Sequence, residues 1–333
     1  MRNSKIIGTG HYVPPKVVTN FDLMKMMDTT DEFIVARTGV RRRRHAEPDV
    51  AASDLAAMAC RAAVADAGLK LDDIDLLIMN TITPDHADPG SVCFLQAKLG
   101  IPGIAAIDIR QQCTGLIYGM AIADNFIKTG ASQHALVVCA EVLSKRIDGS
   151  LDGRNIGILL GDGAGAVVLG PTDNPEKGIL ASALHSDGSG AKSLFSAAPG
   201  AGSGRTEYIT KEDIDAGRVH FRMDGQAVFQ TGVTRMSEAV LDALETNKLT
   251  MDDLDVLIPH QANLRMLETI VDRIEAPMDK VFVNVEDYGN MASACLPVAL
   301  DQARKSGMVH EDSLTLMVAF GSGFVWASTL FRM

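Results

Sequence analysis

Leu71-Asp72-Asp73-Ile74-Asp75-Leu76-Leu77-Ile78 returns 180 residues later as Met251-Asp252-Asp253-Leu254-Asp255-Val256-Leu257-Ile258. Each copy follows a stretch rich in Ala, Leu and Met at helical spacing, residues 53–68 and 233–248, and each leads into an apolar strand. A second likeness lies further on. Asp124-Asn125-Phe126-Ile127-Lys128-Thr129-Gly130 resembles Asp301-Gln302-Ala303-Arg304-Lys305-Ser306-Gly307, now 177 residues apart, and Gly closes both helices. Apolar strands at 135–139 and 314–319 come next. Gly-rich turns at Gly161-Asp162-Gly163 and Gly321-Ser322-Gly323 then precede strands 166–169 and 325–330. A duplication of this kind fixes architecture before any motif is read. It predicts an α/β chain of two halves, 1–172 and 173–333, with mainly buried sheets and a boundary near Pro171 to Glu176. Residues 188–218, rich in Gly, Ser and charge, have no partner in the other half and read as a lid or a plain insertion.

Bulk properties narrow the function. A chain of 333 residues with 47% hydrophobic and 22% charged residues is a globular protein with a large aliphatic core, not a disordered one. Its net charge of −11 argues against nonspecific nucleic-acid binding, which needs Lys and Arg to neutralise phosphates. The run Arg41 to Arg44 reads as a solvated surface turn rather than a docking site. Five cysteines without metal-type spacing fit a reducing compartment. No stretch of about 18 apolar residues occurs and Met1 to Gly10 lacks a signal pattern, so a cytoplasmic chain with no membrane partner is expected.

The second offset sets Cys113 opposite Asn290, each just ahead of an equivalent helix, 114–128 and 292–305. Two helix N-termini would then face one central region, where anions are favoured. A thiol there would gain thiolate character from the helix field and a nearby imidazole. By spacing alone, Cys113 reads either as that nucleophile or as a small buried residue. Cys60, Cys93, Cys139 and Cys295 lie in apolar segments and read as core. His260, in Pro259-His260-Gln261-Ala262-Asn263, follows a strand and is the best-placed histidine. His11, His45, His86, His134, His185, His220 and His310 read as surface or loop residues. Gly161-Asp162-Gly163-Ala164-Gly165-Ala166 has the form of a dinucleotide fingerprint but enters a strand where a helix is required. Gly188-Ser189-Gly190-Ala191-Lys192-Ser193 lacks the ending of a phosphate loop. No metal site is read.

Six motifs form a set: Asp31-Glu32-Phe33-Ile34-Val35-Ala36-Arg37-Thr38-Gly39, Gln112-Cys113-Thr114-Gly115, the Gly161 run, Pro259-His260-Gln261-Ala262-Asn263-Leu264-Arg265, Tyr288-Gly289-Asn290, and Phe320-Gly321-Ser322-Gly323. On these the chain resembles the β-ketoacyl-acyl-carrier-protein synthase III family of the thiolase superfamily, nearly end to end. The resemblance implies a duplicated thiolase-like fold, layered α/β/α/β/α with mixed sheets, working as a homodimer. It implies that Cys113 takes an acyl group from acyl-CoA. His260 and Asn290 then promote decarboxylation of malonyl-acyl-carrier protein, and the carbanion attacks the Cys113 thioester. Both residues supply donors for the enolate charge. The thioester oxyanion would face the backbone amides of Cys113 and Ser322. Phe33 and Arg154 would flank the adenine, Arg37 and Thr38 would lie near the nucleotide, and Asn263 beside the pantetheine arm. Phe33 stands where the family often has Trp. Arg265 would contact the acidic carrier protein. Acyl-CoA is a substrate in this scheme, and no cofactor is implied.

Two departures bear on substrate. Asp88, in Asp85-His86-Ala87-Asp88-Pro89, stands where the family often places an apolar residue that crosses the dimer to the acyl pocket. It reads as a second-subunit general base, a polar pocket wall, or a helix cap before Pro89. Met291, after Asn290, reads either as reshaping the tunnel or as filling space. Decarboxylative condensation leads. Condensation of two acyl-CoA molecules, and acyl transfer to a hydroxyl or amine, are the alternatives, and an inactive partner subunit is disfavoured because all three catalytic residue types are present.

Overall fold

In the computed structural model, which describes residues 3–333, the apolar runs become two mixed sheets. The first holds β1 (Asn3–Tyr12), β2 (Leu76–Asn80), β3 (Ala105–Ile109), β4 (Ala135–Val142) and β5 (Asp162–Thr172), in the order β1-β5-β4-β2-β3. The second holds β6 (Gly178–Ser186), β7 (Val256–Pro259), β8 (Leu314–Gly321) and β9 (Val325–Arg332), in the order β6-β9-β8-β7. The series β1-β5-β4-β2 matches β6-β9-β8-β7 strand for strand. β4 lies parallel to β2 as β8 lies parallel to β7, and the other neighbours in both series are antiparallel. β3 extends the first sheet in parallel beside β2, and its counterpart in the second has shrunk to one parallel bridge, Leu257 to Val281.

Successive strand residues point to opposite faces, and here both faces are apolar because both are covered. Ile78 and Val137 join an inner cluster with Leu116, Met120, Leu296 and Leu300, which come from α4 (Gly115–Lys128) and α7 (Cys295–Lys305). Leu77, Met79 and Leu136 turn outward onto α2 (Ala52–Asp66) and α3 (Ser91–Leu99). Leu257, Leu316 and Val318 of the second sheet turn onto α5 (Gly225–Thr246) and α6 (Leu264–Arg273). The layers are helix, sheet, central helix pair, sheet, helix. The short helix α1 (Asp31–Thr38) lies outside them and is capped by the Thr30 hydroxyl on the Phe33 amide.

The structure corrects the internal register. A 3-10 turn at Gln112–Thr114 leads into α4, and one at Ala292–Ala294 leads into α7. Gln111 (φ −96, ψ 31) matches Met291 (φ −97, ψ 27), and Gln112 (φ 50) matches Ala292 (φ 44). Cys113 is therefore the counterpart of Ser293, not of Asn290. The separation is 180 residues at these turns and slips to 177 only at the helix C-termini, because α7 is three residues shorter than α4.

Other expectations change for physical reasons. The run Gly161-Asp162-Gly163 is no turn but the entry to β5. Its glycines let the second half lie against the strand backbone: a Cβ on Gly161 would stand 2.2 Å from Tyr288 O, and one on Gly165 would stand 2.7 Å from Pro297 Cβ. Met291 fills space there, since its Sδ would lie 2.6 Å from a Cβ on Gly163. Arg42–Arg44 pairs with Val17–Thr19 as a small ribbon, and Arg43 is fully buried, not solvated. Its Nη1 donates to Asn20 Oδ1 at 2.7 Å and its Nη2 to Ile158 O at 2.8 Å, while burial lowers its guanidinium to about 10. Cys93 is exposed rather than core, and His45 is buried rather than superficial.

Candidate active site

Four strand ends converge on the two turns. Asn80 ends β2: its Oδ1 accepts from the Gln111 amide at 2.7 Å, and its Nδ2 donates to Gln112 O at 3.4 Å. Asn80 thus holds the peptides ahead of Cys113 while Gln112 sits in the left-handed region, a conformation that costs about 1–2 kcal/mol for a residue with a Cβ. A sharp strained turn between strand and helix exposes the side chain that follows it. β8 delivers Gly321, where a Cβ would stand 2.9 Å from the Cys113 nitrogen, and the Ser322 hydroxyl donates to Gln112 Oε1 at 2.9 Å. The backbone of 321–323 therefore lies against the Cys113 turn.

β4 brings Glu141, fully buried near its end. The carboxylate accepts from the Ile82 amide at 3.0 Å, the Thr83 hydroxyl at 3.0 Å, the Thr81 hydroxyl at 3.3 Å and, in a short contact, the Ser293 hydroxyl. Burial nonetheless raises the carboxyl from 4.5 to about 7. Because the folded state holds this proton more tightly than the unfolded chain, the associated stability is complete below pH 4.5 and is lost as pH rises through 7. Glu141→Gln removes that titration. The wild type should therefore lose on the order of 3 kcal/mol relative to the variant between pH 4.5 and pH 8. Thermal unfolding of both at the two pH values measures this, and a difference that does not change with pH would contradict it.

β7 ends just before His260, whose amide donates to Val318 O at 2.8 Å. The ring is 2% exposed, its Nδ1 has no hydrogen-bond partner among the described residues, and burial pushes the imidazole down to about 4. It is neutral at physiological pH and free to accept a proton or to donate one hydrogen bond. Asn290 is fixed by its backbone, whose amide donates to Leu159 O at 2.7 Å and whose carbonyl accepts from Gly161 at 3.0 Å. Its Oδ1 accepts from the Ala292 amide at 2.8 Å. With the oxygen committed, the carboxamide offers N–H donors.

Cys295 ties these groups together. Its Sγ accepts from the Met291 amide at 3.1 Å and lies 3.7 Å from Gln261 O and 3.8 Å from Asn290 Oδ1. Cys113 is partly accessible and packs against Leu143, Leu160 and Ala292. Burial, followed by the neighbouring Cys295 and Glu141, pushes its thiol well above the ordinary value of 9. The direction is opposite to the thiolate character expected at a helix N-terminus, and burial is its largest cause. Alkylation of the free chain at Cys113 by iodoacetamide should therefore keep climbing with pH beyond 9. A plateau reached below pH 7 would contradict the assignment.

The remaining expected site residues are dispersed. Phe33 carries Arg154 at 4.7 Å and Arg37 at 5.0 Å from its ring centroid. Arg154 is thus in direct cation–π contact, and a base enters between them only if Arg154 swings away. Thr38 is buried with its hydroxyl donated to Ile34 O at 2.7 Å and accepting from the Val40 amide at 3.0 Å, so its hydroxyl closes α1. Asn263 caps α6, accepting from the Met266 amide at 2.9 Å, and Arg265 is exposed in the first turn of that helix. Asp88 is exposed and is not a cap: the cap of α3 is Gly90, and Asp108 takes the Val92 amide at 2.9 Å. A cavity of about 620 Å³ opens beside Gln112, Ser322 and Gly323, and residues 191–221 supply much of its wall. Arg146 pins that segment, donating to Ser196 Oγ at 2.7 Å and stacking 4.0 Å from the Phe221 centroid. Asn80, Glu141 and Ser293 are not found by sequence reasoning. For the first two the available signal was a polar residue closing, or nearly closing, an otherwise apolar strand.

A duplicated five-layer fold with a cysteine turn between its halves, a neutral histidine and a donor asparagine defines an acyl-transferring condensing enzyme of the thiolase type. Residues 107–188 match the family described as 3-oxoacyl-[acyl-carrier-protein] synthase III, and residues 244–333 match its C-terminal part. The chain is 44% identical to beta-ketoacyl-[acyl-carrier-protein] synthase III of Geobacillus kaustophilus, over 98% of each. It is 43% identical to the enzyme of the same name from Caldanaerobacter subterraneus, over 98% of this chain and 97% of that one. The crystal structure of 3-oxoacyl-[acyl-carrier-protein] synthase III from Aquifex aeolicus superposes with a TM-score of 0.89 at 37% identity, covering 99% of this chain and 100% of that one. Xanthomonas campestris OleA, at 20% identity, shares the fold with a TM-score of 0.85 and full coverage of both chains. The chain belongs to the β-ketoacyl-acyl-carrier-protein synthase III family. No helix among its described residues is long and apolar enough to cross a membrane.

Proposed function

We propose that this chain condenses an acyl-CoA primer with malonyl-acyl-carrier protein through an acyl-Cys113 intermediate, in acyl-chain biosynthesis. The observation that carries the reading is that Cys113, donor-oriented Asn290 and the carbonyl of Gln261, the residue after neutral His260, all neighbour Cys295. In the first step Cys113 Sγ forms a bond to the thioester carbon as its proton passes to a base, for which His260 is the available group. The carbon–sulfur bond to CoA breaks, and CoA leaves as the thiol after taking up a proton. The tetrahedral oxyanion is received by the Cys113 and Ser322 amides, a role supported by the packing of 321–323 on the turn. In the second step the malonyl carboxylate leaves as carbon dioxide. The electron pair passes into an enolate stabilised by donors from His260 and Asn290. The enolate carbon then bonds to the acyl carbon and expels Cys113 as the thiol or thiolate.

Acyl-CoA would enter past Phe33, Arg37, Arg154 and Asn263, with exposed Arg265 meeting the acidic carrier. β3 leaves one sheet edge free for a second copy, in keeping with a homodimer, and Asp88 sits on an exposed loop able to reach across it. Carbon dioxide release measured with acyl-CoA and malonyl-carrier protein together should equal CoA release mole for mole. CoA release without carbon dioxide would replace this reading with condensation of two acyl-CoAs or simple acyl transfer.

A further inference from the structure

The cavity beside the Cys113 turn carries a charge that an alkyl pocket does not need. Arg110, Lys145 and Arg146 line it, against a single lining carboxylate, Asp85. Asp85 is already engaged, accepting from the Ser53 amide at 3.1 Å and from its hydroxyl, with Lys98 at 3.9 Å. None of the three cations forms an ion pair within 4.0 Å among the described residues, although Lys145 acts on Asp54 and Glu141 on Arg146 at longer range. Lys145 donates to Pro48 O at 2.9 Å and Val50 O at 2.7 Å, and Arg146 to Ile82 O at 3.3 Å, Ser196 Oγ and Val219 O at 3.4 Å. Neutral acceptors hold Lys145 and Arg146 in place while Arg110 is exposed, and buried Glu141 offsets the charge of Arg146 only in part, in a chain whose net charge is −11.

We propose that the acyl group accepted by this enzyme carries a carboxylate at its far end, held by Arg146 and Arg110 in this cavity. The inference rests on the acyl-Cys113 reading above and specifies its substrate class. Leu194, Phe195, Val219 and Phe221 provide apolar wall for the methylene chain, and Arg146, stacked on Phe221, presents a planar guanidinium suited to a carboxylate. Burial, with the like charge of Arg110 adding to it, lowers the Arg146 guanidinium, and buried Glu141 offsets only part of that. A bound anion relieves this cost. Asp88 of a second copy, if it entered the cavity, would still leave two of the three cations unmatched.

The test is competition between CoA thioesters matched in chain length: glutaryl-CoA against valeryl-CoA, and adipyl-CoA against hexanoyl-CoA. The Cys113 adduct is identified by intact mass in the full-length wild type, Arg146→Gln and Arg110→Gln. The wild type is expected to load the carboxylated member about 10- to 100-fold faster, the range of a charge-assisted hydrogen bond. Each variant should collapse that ratio. A misfolded or loosened cavity would slow both members alike and leave the ratio standing, which would count against the proposal. Preferential loading of the neutral thioesters by the wild type would overturn it while leaving the condensing mechanism intact. If neither class forms a Cys113 adduct, the underlying acyl-cysteine reading falls with it.

Discussion

Cys113→Ala is expected to form no acyl adduct and to lose condensing activity by about 10⁴-fold or more, because removing a covalent nucleophile leaves only binding and oxyanion stabilisation. No neighbouring thiol can replace it. Cys295 is fully buried with its sulfur committed to Met291, Cys139 is buried in β4, and Cys93 lies on the outer helix α3. The change removes one small side chain from a partly accessible position, so thermal stability should shift little. Steady-state condensation, intact mass and a thermal melt on the same sample separate lost chemistry from lost fold. Substantial activity in a well-folded Cys113→Ala chain would exclude the covalent route.

Asn290→Ala should separate the two half-reactions. Loading of Cys113 places no negative charge at Asn290, whereas decarboxylation creates an enolate that needs its N–H donors. Condensation should therefore fall by about 10²- to 10³-fold while the acyl adduct still forms. The variant also frees the Ala292 amide, so Asn290→Asp is the sharper companion. It keeps an acceptor for Ala292 but sets a carboxylate against the enolate. Both variants should accumulate acyl-Cys113 that malonyl-carrier protein cannot clear. Equal loss of loading and condensation would mean that Asn290 shapes the turn and takes no part in the second step.

Particular residues show why much of this was legible in the sequence. The Leu71 to Ile78 octapeptide and its copy end on strands buried on both faces, so their apolar runs are unbroken, and the matched strand orders follow from the duplication. Cys113 lies in the turn before α4, His260 just after β7 and Asn290 just before the turn into α7, each within a short local motif from which sequence could single it out as a candidate. The register between the halves was not legible, because α7 lacks nearly one helical turn and the similarity between Asp124 and Asp301 reports the slipped end of the helix. Arg43 in a run of four arginines looks solvated until the fold supplies Asn20 and Ile158 O as partners. Thr38, set near the nucleotide by resemblance, has its hydroxyl taken up where α1 ends. The direction of the thiol's pKa shift is hidden because a helix N-terminus can be inferred locally, whereas desolvation depends on Leu143, Leu160 and Ala292 arriving from elsewhere in the chain. Glu141 escaped for the same reason: its meaning lies in Ser293, 152 residues away.

Intact-protein mass spectrometry of the wild type after acyl-CoA is added, and again after malonyl-carrier protein follows, tests the acyl-Cys113 intermediate itself. One acyl adduct per chain is expected, mapped to Cys113, which persists until malonyl-carrier protein is added and then disappears as β-ketoacyl-carrier protein forms. An adduct on any other residue, or condensed product formed with no Cys113 adduct detectable on any primer, would contradict it.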